Sequence, residues 1–102
     1  MSSAKNYLKN FFDEKDSIEK VFEVEFEGVN HVFSKEDVLT QLLSLDNKTL
    51  DKIRIQLVKI DFVNGDVNHF FKYVLKGFLE YQSLVISSVK GSGLVEVFKW
   101  SF

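Results

Sequence analysis

Residues 22–33 read FEVEFEGVNHVF and decide the fold, because apolar and charged side chains alternate along them. Phe22, Val24 and Phe26 take every second position, and a glutamate follows each one. Successive side chains of a β-strand point to opposite faces, so the alternation predicts a strand with one buried and one solvent-exposed face. His31 and Phe33 continue the pattern after a glycine, which predicts an antiparallel hairpin.

The glycine suggests how the hairpin turns. Gly28-Val29 suits a two-residue type II′ turn, in which Gly supplies the positive φ of the first central position. This turn predicts cross-strand pairs of Phe26 with His31 and of Val24 with Phe33. The apolar face would then be buried, with His31 at its rim.

The other face of the first strand carries three glutamates, Glu23, Glu25 and Glu27. Side chains two residues apart on a strand are separated by about 7 Å, so the three carboxylates would form a negative stripe. One interpretation is that the charges keep the hairpin from aggregating. The other is that they form a docking surface for a basic partner and speed its association.

Helices are predicted on both sides of the hairpin. Residues 3–13 carry an apolar stripe at helical spacing. After the hairpin, Ser34 with an acid three residues later, Asp37, resembles a capping box that starts a second helix. The apolar positions of these two helices are Tyr7, Leu8, Phe11 and Phe12, and Val38, Leu39, Leu42 and Leu43.

Two more helices are predicted before residue 83. Asp46 or Asn47 would cap the first, whose apolar positions are Leu50, Ile53, Leu57 and Ile60. Residues 53–60 also alternate, so a strand is the competing interpretation. Asp61–Gly65 then reads as a loop, and Asp66 would cap a strongly apolar helix that starts at Val67 and ends at Gln82.

The last segment predicts a second hairpin, with strands at Leu84–Val89 and Leu94–Trp100 around residues 90–93. Its apolar side chains lie on both faces. The helices can pack against one face, so the other face must be buried by a different segment or by another molecule. An exposed apolar edge favours pairing with another chain, so we expect a homodimer through this region. The expected interface residues are Val95, Val97, Phe98, Trp100 and Phe102.

These elements predict a single α+β domain over residues 1–102. It would consist of an antiparallel sheet of two β-hairpins packed with three to four helices, in the order α-ββ-ααα-ββ. The 11 phenylalanines fall mostly on faces that the spacing assigns to the core.

Composition excludes several classes of function. The chain has no Cys, which excludes disulfides, thiol nucleophiles and thiolate metal sites. No apolar run is long enough to span a membrane, and no apolar signal segment follows Met1, so we expect a cytoplasmic protein without membrane association. Only one of the 13 basic residues is an arginine, Arg54, which disfavours nucleic-acid binding. If the chain does bind nucleic acid, the binding face would be formed by Lys72, Lys76, Lys90 and Lys99.

The densest polar cluster runs from Asp61 to His69 and includes Asn64 and Asp66. It lacks the ligand spacing of a calcium loop, and the two histidines of the chain lack a zinc-binding spacing. The simplest interpretation is a turn at Asn64-Gly65 followed by a helix cap at Asp66. The alternative is a small-molecule or minor enzymatic site in which Asp66 and His69 act as a general base and the group that orients it.

We therefore expect a small non-enzymatic protein–protein interaction module, acting as an adaptor, regulator or inhibitor. A compact acidic domain of this kind suits an inhibitor encoded by a mobile element. It would act through the acidic strand face and the apolar C-terminal hairpin. A small-molecule-binding protein or minor enzyme using the Asp61–His69 segment is the alternative, and no cofactor or metal is predicted.

Overall fold

The computed structural model describes the backbone of residues 3–87 and the side chains of residues 3–81. Within them the chain forms four helices and one two-stranded antiparallel sheet, which confirms an α+β fold. The elements are α1 (Ser3–Glu14), β1 (Val21–Phe26), β2 (Val29–Ser34), α2 (Lys35–Leu43), α3 (Asn47–Phe62) and α4 (Val67–Ser87).

The hairpin is present, but its predicted turn and register are wrong. The two turn residues are Glu27 and Gly28, with φ of 52° and 80°. Positive φ at both positions identifies a type I′ turn, whose twist matches that of the flanking strands. The observed pairs include Phe22 with Phe33, Val24 with His31 and Phe26 with Val29. The register differs by two residues from the predicted one, so the side chains of residues 22–26 and 31–33 keep their predicted faces. Glu27 is the exception, because it lies in the turn.

The predicted start of α2 is confirmed. The Asp37 N–H donates to Ser34 Oγ at 3.1 Å, and the Ser34 N–H donates to Asp37 Oδ2 at 3.3 Å, which completes a capping box. Residues 53–60 lie within α3, so the helical interpretation is the correct one. Asp46 is the N-cap of α3, where its Oδ1 accepts from the Thr49 N–H at 2.7 Å.

The loop between α3 and α4 is shorter than predicted, because Asp61 and Phe62 belong to α3. Asn64 adopts φ of 55°, and its N–H donates to the carbonyl of Asp61 at 3.1 Å. The Gly65 N–H donates to the carbonyl of Ile60 at 2.8 Å. Together these bonds form a Schellman motif, which satisfies the last carbonyls of the helix.

The predicted end of the fourth helix at Gln82 is also wrong, since α4 continues to Ser87. Leu84–Ser87 are helical, which contradicts their assignment to a strand. No Pro or Gly interrupts residues 82–87, and Val85 and Ile86 oppose a helix only weakly. The rest of the predicted C-terminal hairpin, residues 88–102, lies outside the described residues, so the observed order is α-ββ-ααα.

The core forms where α1, β1 and α4 meet. The Phe71 ring of α4 lies 4.9 Å from Phe12 and 6.3 Å from Phe11 between ring centroids, and 6.2 Å from Phe22 of β1. The α3 helix packs against both α1 and α4 and contributes Leu50, Ile53 and Leu57 to the same core. In the part of the chain that the structure describes, no helix is long and apolar enough to cross a membrane.

Candidate functional site

The solvent-facing side of the hairpin combines exposed apolar and acidic side chains. Five residues form it, and we refer to them as the outer hairpin face: Val21, Glu23, Glu25, Asn30 and Val32. Val21 is 53% exposed and Val32 is 61% exposed. Asn30 Nδ2 donates to Glu23 Oε1 at 3.1 Å and orients that carboxylate. The face is therefore apolar and negatively charged at once.

Only two of the three predicted carboxylates share this face. Glu23 and Glu25 lie on β1 with exposed side chains, whereas Glu27 occupies the first position of the turn. The left-handed backbone of Glu27 takes it out of the alternation, so it does not extend the row. The sheet has two strands over residues 3–87, and no third strand covers the outer edge of either one there.

The predicted alternative site divides between two cavities. A cavity of about 470 Å³ lies where α3 meets α4 and includes Asp66 and His69. Its lining consists of Ile60, Val63, Gly65, Asp66, His69, Phe70 and Tyr73. Asp66 Oδ1 accepts from the backbone N–H of His69 at 3.0 Å, so this carboxylate caps α4. The cavity has mainly apolar walls, with Asp66, His69 and the hydroxyl of Tyr73 as its polar side-chain groups.

Asp61 and Asn64 do not join Asp66 and His69. Asp61 forms an ion pair with Lys15 at 3.0 Å and lines a separate cavity of about 280 Å³ beside Tyr7. Partial burial, followed by the negative charge of Asp61, raises the pKa of the Tyr7 hydroxyl above its ordinary value. Asn64 supplies the left-handed residue that ends α3. The four residues therefore do not form one site: Asp66 and His69 share a cavity, and Asp61 and Asn64 lie outside it.

Asn68 contributes an interaction that sequence reasoning missed. Its Oδ1 accepts from the Glu19 N–H at 2.9 Å, and its Nδ2 donates to the Ser17 carbonyl at 2.9 Å. Lys72, one turn later, lies 3.4 Å from Glu19 in an ion pair. These contacts attach the connection between α1 and β1 to the start of α4. Sequence spacing carries no signal for them, because the partners are about fifty positions apart.

A second exposed apolar surface lies on α3. Ile55, Val58 and Phe62 are exposed by 39%, 38% and 86%, and we call them the α3 stripe. Their spacing of three and then four residues is a helical signal in its own right. That signal was obscured because the buried residues of α3 occur in the same segment.

No set of three His, Asp or Glu side chains within the described residues is arranged to hold a metal ion. The predicted interface residues Val95, Val97, Phe98, Trp100 and Phe102 lie outside the described residues. Comparisons with protein-family models, curated proteins and solved structures found no match.

Proposed function

We propose that this chain is a small non-enzymatic protein-interaction module that binds its partner through the outer hairpin face. The observation that carries the proposal is the exposure of Val21 and Val32 beside the carboxylates of Glu23 and Glu25. Charges alone would suffice to keep a hairpin in solution, whereas two exposed valines work against that purpose. Val32 pairs directly with Glu23, and Val21 lies two residues before Glu23 on the same face, so exposed apolar area and negative charge are adjacent.

The chemistry of the face defines the partner. It should present apolar side chains with lysines or arginines beside them, so that Glu23 and Glu25 are paired when water is excluded. Opposite charge raises the association rate and fixes the orientation of the complex. The apolar residues predicted near the C-terminus, Val95, Val97, Phe98, Trp100 and Phe102, are proposed to add contact area for a protein partner or for a second copy.

A pull-down with charge-reversed bait tests the proposal. The test variant is Glu23→Lys/Glu25→Lys, and the matched control is Glu14→Lys/Glu80→Lys, which makes the same change in net charge at exposed positions elsewhere. The wild type and the control should capture the same protein from a lysate of the source organism, and the test variant should lose it. Binding of the purified partner should weaken with salt. Equal capture by the test variant would disprove the role of the outer hairpin face.

The cavity between α3 and α4 supports a second candidate, the binding of a small molecule. Its volume of about 470 Å³ and mainly apolar lining are within the range of ligand sites, and Asp66 and His69 could orient a polar group. A fragment screen by NMR tests this candidate. Ligand-induced shifts should concentrate at Gly65, His69 and Tyr73, and Val63→Arg, at an exposed lining residue, should abolish them. A screen without hits at these residues would reject the candidate.

A further inference from the structure

The α3 helix is apolar on two opposite sides. Leu50, Ile53 and Leu57 are fully buried in the core. A helix turns about 100° per residue, so the α3 stripe falls on the side away from them. A surface helix normally has one apolar face towards the core and a polar face towards water. Among the described residues, the stripe packs little against the core, and Phe62, with 86% exposure, contributes almost nothing to it.

A row of lysines runs along one flank of the α3 stripe. Lys48, Lys52 and Lys59 are exposed, and none has an ion-pair partner among residues 3–81. On the other flank, Arg54 Nε and Nη2 both donate to Asp51 Oδ1, at 2.9 and 2.7 Å. That carboxylate is therefore already satisfied. The outer side of α3 consequently presents apolar side chains beside lysines that form no ion pair with residues 3–81.

The outer hairpin face has the complementary chemistry on the same molecule. Both surfaces have exposed apolar side chains, but the charges beside them are negative on the hairpin and positive on α3. We propose that copies of this chain associate head-to-tail, with the α3 stripe of one copy against the outer hairpin face of the next. Glu23 and Glu25 would then meet Lys52 and Lys59. The inference rests on the proposed role of the outer hairpin face and names a second copy as a partner.

Charge also decides which surfaces of two copies can meet. Two outer hairpin faces placed together would oppose carboxylates with carboxylates, and two α3 stripes would bring two rows of lysines together. Like charges in an interface are unfavourable, whereas the pairing of hairpin with α3 matches opposite signs. An association between two different surfaces is heterologous, so it continues into a closed ring or an open chain of copies.

The size of the two surfaces sets the strength of the association. Each has only two or three exposed apolar side chains, so the contact belongs to the class below about 1,200 Å², which includes weak and transient complexes. The association should depend on protein concentration and weaken as salt screens the charges. It should therefore be measured from micromolar to millimolar protein rather than at a single dilution.

Sedimentation velocity on charge-reversed proteins tests the inference. Glu23→Lys/Glu25→Lys should weaken self-association about tenfold or more, and Lys52→Glu/Lys59→Glu should do the same. The protein that combines all four substitutions regains opposite charges across the contact and should associate again. The control Glu14→Lys/Glu80→Lys should associate as the wild type does. A mixture of the two double variants should also associate, which gives an independent measurement should the combined protein fold poorly.

Each of the following three results would overturn the inference. Loss of association in only one of the two double variants would indicate a symmetric contact through a single surface. No effect in either would place the contact elsewhere, as in the C-terminal segment. A wild type that stays monomeric at millimolar concentration would exclude self-association. That last result leaves the proposed function intact if the pull-down still depends on Glu23 and Glu25, so the two failures are distinguishable.

Discussion

At the scale of single residues, polar side chains connect segments of this fold at positions that the spacing of apolar residues does not identify. Asn68 is the clearest case, because one amide satisfies two backbone groups of the connection between α1 and β1. The hydrogen bond of the Glu19 N–H is partly buried, so this donor would keep the free-energy cost of desolvation if it lost its acceptor, whereas the Ser17 carbonyl is exposed to water. The structure of this connection therefore depends on a residue that reads, in the sequence, as an ordinary helix position.

Replacing Asn68 should lower the free energy of unfolding measurably. Asn68→Ala removes both hydrogen bonds, and we expect a loss of about 1–3 kcal/mol in urea denaturation. Asn10→Ala, at an exposed position of α1, is the control and should change stability by less than about 0.5 kcal/mol. Equal stability of the two variants would show that water replaces the Asn68 contacts without loss.

Asp46 makes stability depend on pH in a predictable direction. The backbone N–H of Thr49, followed by the Thr49 side chain and then by Lys48, holds the pKa of the Asp46 carboxyl below its ordinary value. A lowered folded-state pKa stabilises the protein above the unfolded-state pKa of about 3.9, and the contribution disappears as the pH falls through the folded-state value.

Asp46→Asn isolates this contribution, because asparagine caps a helix about as well but does not titrate. Urea denaturation from neutral pH to about pH 2 should show the wild type losing more stability than the variant below about pH 4. The other carboxylates are common to both proteins, so they cancel in the difference. Parallel curves over the whole range would contradict the assigned role.

At the scale of elements, α3 explains why residues 53–60 fit both a strand and a helix. Ile53 and Leu57 face the core, while Ile55 and Val58 face solvent, so apolar residues occur on both sides of the helix. A segment that is apolar on opposite faces mimics the two-residue period of a strand. The cap at Asp46 resolves the ambiguity, because its side chain bonds the first turn of a helix.

The backbone of the hairpin turn is strained at Glu27, and a substitution at this position should relieve the strain. Glu27 has φ of 52°, a left-handed conformation that costs an L-residue about 1–2 kcal/mol. Asparagine tolerates this region better and forms, with Gly28, the preferred pair of a type I′ turn. Glu27→Asn should therefore raise the free energy of unfolding by about 0.5–1 kcal/mol in urea denaturation.

Gly28→Ala gives the opposite test of the same turn, because φ of 80° is left-handed as well and alanine lacks the freedom of glycine there. No atom lies within 4 Å of a Cβ built at Gly28, so any loss would come from the backbone and not from a clash. A stabilised alanine variant, or a destabilised asparagine variant at Glu27, would argue against the type I′ assignment.

At the scale of the whole molecule, one ring joins three of the elements that form the core. Phe71 is fully buried and has four aromatic neighbours, which come from α1, β1 and α4 itself. Edge and tilted ring contacts add to the burial of apolar area. The stability of the molecule therefore depends more on this residue than on any single exposed phenylalanine.

Phe71→Ala and Phe62→Ala form a matched pair of large-to-small substitutions. Phe71→Ala should lower the free energy of unfolding by about 3–5 kcal/mol, because it leaves a cavity in the core. A loss of this size would bring the protein close to unfolding. The second removes a ring that is 86% exposed and should change the free energy of unfolding by less than about 0.5 kcal/mol. Thermal denaturation followed by circular dichroism measures both. A large effect at Phe62 would mean that the α3 stripe supports the fold.

Local chemistry made much of this fold predictable. Alternation along residues 22–26 predicts a strand with one solvent-exposed face. Helices start at Ser34, Asp46 and Asp66, because each side chain accepts a hydrogen bond from the first turn of its own helix. The same kind of local pattern predicts the pairs Glu23 with Glu25 and Asp66 with His69. Residues two apart on a strand share a face, and residues three apart on a helix are neighbours on its surface.

The hairpin register, the long-range polar contacts and the exposed side of α3 were decided by tertiary structure alone. The hairpin register follows from the twist of two strands, and Glu27 enters the turn although it has little intrinsic preference for that conformation. The Asn68 contacts and the Lys15 ion pair that separates Asp61 from Asp66 join residues far apart along the chain, which no local pattern encodes. The exposure of Ile55, Val58 and Phe62 likewise emerges only once the core has taken the other side of α3.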